Sequence, residues 1–217
     1  MGNKKLHKLE YEIHGKNRPY FELHHKCWYF MEKQAEGFTA SNANQLIFNY
    51  KKGIEKRNNE KEWYWREKAI EEFAKDLNKI KIPEKWPYVT VIPAPTSKPR
   101  NSVNWNDRID KTVELWAKFN NKIHIEYAID LDEELQAAHK GGDRNPEFIK
   151  QHLIWKGFTK YPSPQILLID DVYTTGGHFK AFSEFILEND ERVKEVIGIF
   201  WALHVWDLPD EELDIRF

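Results

Sequence analysis

Hydrophobic positions in the second half of the chain follow two alternating patterns. Unbroken apolar runs are typical of strands that are buried on both faces. They occur in YVTVIPAP (88–95), IHIEYAID (123–130), QILLIDD (165–171) and VKEVIGIFWAL (193–203). Between these runs, apolar residues recur at helical spacing, first at Ile109, Val113 and Trp116 and then at Phe179, Phe182 and Ile186. Strands and helices that alternate in this order predict an α/β fold with a mostly parallel central sheet flanked by helices.

The first half of the chain predicts two helices after a less regular beginning. In TASNANQLIFNYKKG (39–53), Ser41 is a suitable N-cap, apolar residues lie at 43, 46, 47 and 50, and Gly53 is a suitable stop. A second helix is expected within residues 60–80. Short alternating pieces before residue 40 predict two strands, and residues 131–164 form a long polar segment.

Composition is typical of a folded domain with no bias towards a polyanionic or lipid partner. The chain has 217 residues, of which 41% are hydrophobic, and a formal net charge of −2. We therefore expect no membrane association and consider nucleic acid an unlikely partner. The single cysteine excludes an internal disulfide, and the polar N-terminus has no signal-peptide core, so a cytoplasmic protein is expected.

The stretch ILLIDDVYTTGGH (166–178) combines the end of a predicted strand with groups that bind a sugar phosphate. Two carboxylates, Asp170 and Asp171, are expected where the strand leaves the sheet, and they would suit the hydroxyls of a sugar. The amides of Thr174 to His178 would begin the next helix, where unpaired N–H groups favour an anion. The hydroxyls of Thr174 and Thr175 add donors, and Gly176 and Gly177 would permit positive φ. The stretch therefore predicts a ribose-phosphate site.

Other interpretations of these paired acids are less favourable. P-loop ATPases also have an acidic strand end, but the chain contains no G-x-x-x-x-G-K-[ST] motif. A receiver domain would need more chain than the 46 residues that follow Asp171 (217 − 171). The acids could simply cap a turn, but the TTGG sequence that follows favours a phosphate site.

ILLIDDVYTTGG resembles the phosphoribosyl pyrophosphate (PRPP) signature of type I phosphoribosyltransferases, although His178 stands where that family usually has Thr, Ser or Ala. The proline-containing turn of VIPAP, the segment LIFNYKKG and the segment QAAHKGGDRNPEFIKQHLIW are similar to the competence-associated, ComF-type branch. The resemblance covers about residues 44 to 203. That branch usually begins with a four-cysteine zinc module, which one cysteine cannot build.

The resemblance implies a PRPP-binding protein with Mg²⁺ that transfers the phosphoribosyl group to a nitrogen nucleophile, a base or an amine, and releases pyrophosphate. Asp170 and Asp171 would hold the ribose, and Asp170 would contact Mg²⁺ indirectly through the substrate. A lid over residues 134–148 would supply Lys140 and Arg144. The remaining binding residues would be Thr174, Thr175, Gly176, Gly177 and His178 for the 5′-phosphate, and Thr96, Ser97, Lys98 and Arg100 for the pyrophosphate.

The resemblance also divides the chain. Residues 1–43 would form a hood, residues 44–206 the phosphoribosyltransferase-like domain, and residues 207–217 an acidic tail that adds to the hood. Acceptors are recognised mainly by the variable hood, so the sequence does not identify the acceptor. Three interpretations stay open: an enzyme, a regulator that binds the ligand without turnover, and an interaction module that retains the site. A homodimer is possible.

The segment HHKC (24–27) contains metal-ligand residue types close together. If the segment is a strand, adjacent side chains point to opposite faces. Only His25 and Cys27 would then share a face, so a metal site is not favoured by the sequence.

Overall fold

The structure of the protein is a computed structural model that describes residues 4–35, 37–135 and 145–206. Its centre is a six-stranded sheet with the order β1-β2-β8-β7-β3-β4, and a separate two-stranded hairpin pairs β5 with β6. All neighbours in the large sheet are parallel except β1 and β2, which are antiparallel. The strands are β1 (His7–Lys8), β2 (Lys26–Lys33), β3 (Val89–Pro93), β4 (Ile123–Ile125), β5 (Ile129–Leu131), β6 (Leu153–Trp155), β7 (Gln165–Tyr173) and β8 (Glu195–His204). The predicted α/β fold with a mostly parallel sheet is confirmed.

Helices cover both faces of this sheet. The helix α2 packs on α3, α3 packs on α4, and α5 packs on α6. Among the described residues the α-helices are α1 (Tyr11–His14), α2 (Asn42–Tyr50), α3 (Glu60–Leu77), α4 (Arg108–Phe119), α5 (Pro146–Gln151) and α6 (Gly177–Asn189). None of them is long and apolar enough to cross a membrane.

The helix predictions agree with the structure because their local signals are strong. Ser41 caps α2 by accepting a hydrogen bond from the Asn44 amide at 3.0 Å, as its position in the sequence indicated. The helical periodicity of α3 and α4 places one apolar face of each against the sheet. Their buried apolar residues are Ala69, Ile70, Phe73, Ala74 and Leu77 of α3 and Ile109, Val113 and Trp116 of α4.

One expectation about a strand was wrong. IHIEYAID is not one strand: β4 stays in the main sheet, whereas β5 leaves it and pairs with β6 in the hairpin. The polar segment 131–164 contains α5 and β6, neither of which was predicted from the sequence. The bend after β4 is stabilised by Glu126, whose buried carboxylate accepts hydrogen bonds from Thr159 and from the Lys160 amide. This long-range contact cannot be inferred from the local apolar pattern.

The first 43 residues are not separate from the sheet. Of the two strands expected there, β2 is a full member of the central sheet and lies beside β8, with Lys26 opposite Ile197 and Lys33 opposite His204. A boundary at residue 43 therefore does not divide two sheets. The proposed tail, 207–217, lies outside the described residues.

Strands β3 and β7 are parallel neighbours at the centre of the sheet, and the strands that follow them along the chain lie on opposite sides of this pair. From β3 the chain passes through α4 to β4, and from β7 it passes through α6 to β8 on the other side. Since such crossovers are right-handed, α4 and α6 cover opposite faces of the sheet. In open α/β sheets, ligands bind beyond the carboxyl ends of strands where the order reverses in this way. The predicted site residues that the structure describes lie near this edge, at the end of β7 and in the segments that follow β3 and β7.

Candidate functional site

The loop between β7 and α6 has backbone N–H groups that donate no hydrogen bond to any described residue. It consists of Thr174, Thr175 and Gly176, and Gly176 is the N-cap of α6 with a φ of 90°. The first hydrogen bond of the helix is donated by the Lys180 amide to the Gly176 carbonyl oxygen at 2.9 Å. No side chain caps this helix, and its first turn contains no acid. The preceding amides are therefore oriented towards the edge of the sheet, where an anion is favoured.

Only one of the two adjacent glycines, Gly176, has a backbone conformation that favours glycine. Gly176 has positive φ, whereas Gly177 begins the helix and does not. The expectation of positive φ at Gly177 was therefore wrong. A Cβ on Gly176 would lie 2.6 Å from the Tyr173 hydroxyl oxygen and 3.1 Å from the Phe21 nitrogen. The segment before β2 also contacts this loop, since the Tyr20 amide donates to the Thr175 carbonyl oxygen at 3.2 Å.

The paired acids do not mark the end of β7, as the sequence suggested. The strand continues to Tyr173 by pairing with β8, whereas its pairing with β3 ends at Ile169. Asp170 and Asp171 are therefore buried strand residues beside the point where β3 turns away. Because successive side chains of a strand point to opposite faces, the two carboxylates have different surroundings.

Asp170 faces the first turn of α6. One carboxylate oxygen, Oδ1, accepts the Asp171 amide at 2.7 Å, and Oδ2 lies 3.9 Å from His178 Nδ1. The His178 ring is about half exposed and sits above this carboxylate, at the position where the sequence departs from the phosphoribosyltransferase signature. Oδ2 of Asp170 therefore lies beside the His178 side chain in the first turn of α6 and has no hydrogen-bond partner among the described residues, so it is available to a ligand hydroxyl.

Asp171 faces the other side of the sheet, and cations already occupy both of its oxygens. Arg108 Nε and Nη2 donate to Oδ2 at 3.0 and 2.7 Å, and Lys51 Nζ lies 2.9 Å from Oδ1. Burial alone would raise the pKa of Asp171, but the charges of Lys51 and Arg108 outweigh it and hold this pKa well below its usual value. In this arrangement Asp171 orients two cations at the edge and does not present a free carboxylate.

Sequence reasoning missed Lys51 and Arg108 as site residues. Lys51 is the C-cap of α2 and Arg108 is the first residue of α4, so each was assigned only to a helix. Lys33, at the end of β2, is a third cation nearby. Burial and then the charge of Lys51 lower the pKa of Lys33. For Arg108 the available signal was its position, because a helix that follows a parallel strand begins at the ligand-binding edge of the sheet.

The loop between β3 and α4 contains the residues predicted to hold pyrophosphate. Arg100 is not free to do so, because its Nε and Nη2 donate to both oxygens of Asp110 at 2.8 and 3.2 Å. It also donates to the carbonyl oxygens of Ile129 and Pro93. This guanidinium connects three elements of the fold, and its assignment to pyrophosphate is not supported by these contacts.

Lys98 and Thr96 are better placed in the same loop. Lys98 is partly exposed and pairs with Glu134 at 2.8 Å, a contact that a ligand anion could replace. The Thr96 hydroxyl is buried and has no hydrogen-bond partner among the described residues. The Ser97 carbonyl oxygen accepts the Leu135 amide at 2.8 Å. This contact places the beginning of the predicted lid, 134–148, against the loop. Its cations Lys140 and Arg144 lie outside the described residues.

The segment HHKC has a different geometry from the one assumed for it. Strand β2 begins only at Lys26, and His24 and His25 lie in the preceding turn. Their rings are therefore close, with centroids 4.6 Å apart, and together with Glu22 they offer ligand atoms that all lie within 4.8 Å of one another. Cys27 is buried within β2 and does not belong to this group. The strand assumption was wrong here, and with it the pairing of His25 with Cys27.

Comparisons with known proteins do not identify a relative. A scan against protein-family models finds no match to this chain, and a search of curated proteins finds no similar sequence. The functional interpretation therefore depends on the residues at the carboxyl edge of the sheet.

Proposed function

We propose that this protein binds PRPP with Mg²⁺ and transfers the phosphoribosyl group to a nitrogen nucleophile with release of pyrophosphate. One observation carries the proposal. The uncapped N-terminus of α6, with Gly176 at positive φ, and the Asp170 carboxylate, 3.9 Å from the His178 side chain in the first turn of α6, occur together at the point where the strand order reverses. Amides suited to a phosphate next to a carboxylate suited to sugar hydroxyls match a ribose 5-phosphate group. The PRPP-like sequence signature covers the same residues.

The 5′-phosphate would bind at the loop between β7 and α6. The amides of residues 174–178 would donate to its oxygens, and the Thr174 and Thr175 side chains are partly exposed and can add two hydroxyl donors. His178 would replace the hydroxyl that the family usually has, and it can donate through its imidazole. A phosphate here would accept hydrogen bonds from donors that no described residue satisfies.

The ribose would bind at Asp170, whose Oδ2 has no closer described cation than His178. Asp170 also suits Mg²⁺ that is held indirectly through substrate oxygens. Asp171 does not fit a metal, because both of its oxygens are paired with cationic side chains. Mg²⁺ would supply neutralisation of the charge that develops on the departing pyrophosphate. Asp171 would act by orienting Lys51 and Arg108.

The pyrophosphate would lie over the loop between β3 and α4. Lys98, Thr96 and Ser97 are the candidates there, and Arg100 would keep the loop in place. In the transfer, the lone pair of the acceptor nitrogen forms the bond to the anomeric carbon. The carbon–oxygen bond breaks with its electron pair on pyrophosphate, and the nitrogen then loses a proton to solvent. Lys140 and Arg144 of the proposed lid would stabilise this leaving group and exclude water.

Isothermal titration calorimetry with PRPP and Mg²⁺ tests the binding proposal. We expect Asp170→Asn to weaken PRPP binding at least tenfold, because a charge-assisted hydrogen bond contributes about 1.5–3 kcal/mol. Asp190→Asn is the matched control, since Asp190 is the C-cap at the opposite end of α6. Equal affinity of the wild type and Asp170→Asn, or no PRPP binding by the wild type, would refute the assignment.

A regulator that binds PRPP without turnover is the second candidate. It is favoured by the pairing of both Asp171 oxygens with Lys51 and Arg108, which leaves this acid no free oxygen for the substrate. Pyrophosphate release in the presence of nucleobases and amines distinguishes the two. Turnover that falls about a hundredfold in Arg144→Ala, while PRPP affinity changes less than tenfold, supports the enzyme. Binding without pyrophosphate release by the wild type supports the regulator.

A further inference from the structure

The turn before β2 brings together three side chains that the proposed phosphoribosyl chemistry does not use. Glu22, His24 and His25 lie within four residues of one another in the chain. Glu22 Oε2 and His24 Nδ1 are 3.4 Å apart, and ligand atoms of all three residues lie within 4.8 Å. In a tetrahedral site with metal–ligand bonds of about 2.0–2.1 Å, neighbouring ligand atoms are separated by about 3.3 Å. The first pair already has this separation.

We propose that Glu22, His24 and His25 form a binding site for a divalent transition metal of the zinc type, with a water molecule or an external ligand as the fourth partner. One carboxylate and two imidazoles are a ligand set that suits Zn²⁺ better than Mg²⁺ or Ca²⁺, which prefer oxygen ligands alone. The site is separate from the Mg²⁺ proposed at the edge of the sheet. Cys27 takes no part in it.

His25 is held ready to coordinate a metal. Its ring packs against the Phe21 and Phe179 rings, and its Nδ1 accepts the Glu22 amide at 3.1 Å. Because Nδ1 accepts this hydrogen bond, it carries a lone pair and no proton, as a metal ligand must. Coordination through Nδ1 would replace one neutral hydrogen bond.

The cation Lys180 opposes metal binding in the structure. It forms an ion pair with Glu22 Oε1 and also lies 3.7 Å from Glu184. A metal bound to Glu22 Oε2 would share this carboxylate with the Lys180 ammonium on Oε1, and the two cations would repel each other. This repulsion predicts that removing the ammonium group strengthens metal binding. Weak binding by scattered surface histidines would not respond to Lys180.

The site would stabilise a segment that already touches the phosphate loop. The same turn follows Tyr20, whose amide donates to the Thr175 carbonyl oxygen, and it contacts α6 through Phe179 and Lys180. A metal bound by three residues of the turn would hold this segment against the first turn of α6. The role inferred for the metal is structural.

Titration of the protein, free of added histidine tags, with Zn²⁺ tests the inference. We expect one Zn²⁺ per chain at micromolar affinity, at least tenfold weaker binding in His24→Ala and in Glu22→Gln, and tighter binding in Lys180→Gln. Both weakening substitutions are at partly or fully exposed positions, so the variants should fold. Bound Co²⁺ should show the strong visible absorption of a four-coordinate ion.

His152→Ala is the matched control, because His152 also lies near two carboxylates, Asp132 at 3.2 Å and Glu133 at 3.4 Å. We expect it to bind Zn²⁺ as the wild type does. Three outcomes would overturn the inference: no Zn²⁺ binding by the wild type, loss of binding in His152→Ala with retention in His24→Ala, or no gain in Lys180→Gln. None of these depends on PRPP, so failure here leaves the phosphoribosyl proposal intact.

Discussion

The two loops that leave the centre of the sheet differ in how their polar groups are paired. The loop from β3 to α4 is rich in charged side chains, and its cations Arg100 and Lys98 have carboxylate partners within the protein. The loop from β7 to α6 has no charged side chain between Tyr173 and Gly177, and its backbone donors have no partner among the described residues. Both loops leave the same edge, but the cations of the first are paired within the protein, whereas the backbone donors of the second have no partner among the described residues.

This difference shows that cations in a sequence are not by themselves a binding site. Arg100 looked suited to pyrophosphate, but its guanidinium satisfies Asp110 and two backbone carbonyls. The same is true of Arg108, which satisfies Asp171. Burying a carboxylate without a partner is expensive, so the fold uses these cations internally. Unpaired amides at a helix N-terminus are a clearer sign of an anion site.

Among the changes that test this difference between the loops, removal of a buried ion-pair partner should have the largest effect on stability. We expect Arg108→Met to lower the free energy of unfolding by about 3 kcal/mol, because Asp171 would keep only Lys51 as a partner. Chemical denaturation at pH 7 measures this change. Arg108→Lys is the control, since it restores the charge without the two-pronged contact and should lose less. A loss below about 1 kcal/mol in Arg108→Met would mean that the pair is not structural.

The next largest effect on stability should come from a substitution in the loop between β7 and α6. We expect Gly176→Ala to destabilise the fold by about 2 kcal/mol, because positive φ is unfavourable for residues with a Cβ. The new Cβ would also lie 2.6 Å from the Tyr173 hydroxyl. That hydroxyl is buried without a hydrogen-bond partner among the described residues. Tyr173→Phe should therefore be nearly neutral alone and should reduce the cost of Gly176→Ala. An equal cost in both backgrounds, measured by denaturation, would argue against this contact.

A smaller effect appears in the pH dependence of stability. The pKa of Asp171 is depressed in the folded state, so its contribution is present above the unfolded pKa of about 3.9 and is lost as the pH falls below it. We expect Asp171→Asn to be less stable than the wild type at pH 7. That deficit should shrink by about 1 kcal/mol or more as the pH is lowered from about 5 to 2. Denaturation at several pH values measures the difference, and a deficit independent of pH would contradict the assignment.

The smallest effect on stability should come from the exposed ion pair between Lys98, in the loop from β3 to α4, and Glu134. We expect Lys98→Met to change the free energy of unfolding by less than about 1 kcal/mol, because Lys98 and Glu134 are both partly exposed to solvent. If Lys98 binds pyrophosphate, the same variant should weaken PRPP binding severalfold. Calorimetry and denaturation on one preparation separate these effects. Destabilisation as large as that of Arg108→Met would remove the distinction between buried and exposed pairs.

Local sequence signals accounted for the elements with strong periodicity or a clear cap. The positions of α2, α3 and α4, the parallel character of β3 and β7, and positive φ at Gly176 all agree with predictions from neighbouring residues. The uncapped N-terminus of α6 after residues 174–176 was predictable for the same reason, because unpaired amides at a helix start are a property of the local backbone.

Features that depend on distant partners were not predictable. The sequence placed Asp170 and Asp171 together as one pair of sugar-binding acids, but the strand directs them to opposite faces, where Lys51 and Arg108 neutralise only the second. Likewise His24 and His25 come together because β2 begins at Lys26, a boundary that the alternating pattern did not reveal.

By itself, the sequence determined the strongly periodic helices α2, α3, α4 and α6 and the central strands β3, β7 and β8, and it indicated which loop presents free amides, because spacing and backbone conformation are local properties. Only the tertiary structure decided which charges remain available to a ligand. The pairing of Arg100 with Asp110 and of Arg108 with Asp171 depends on elements that meet only after folding. The physical reason is that a buried charge is stabilised only by a partner within a few ångströms, and the order of residues along the chain does not record that distance.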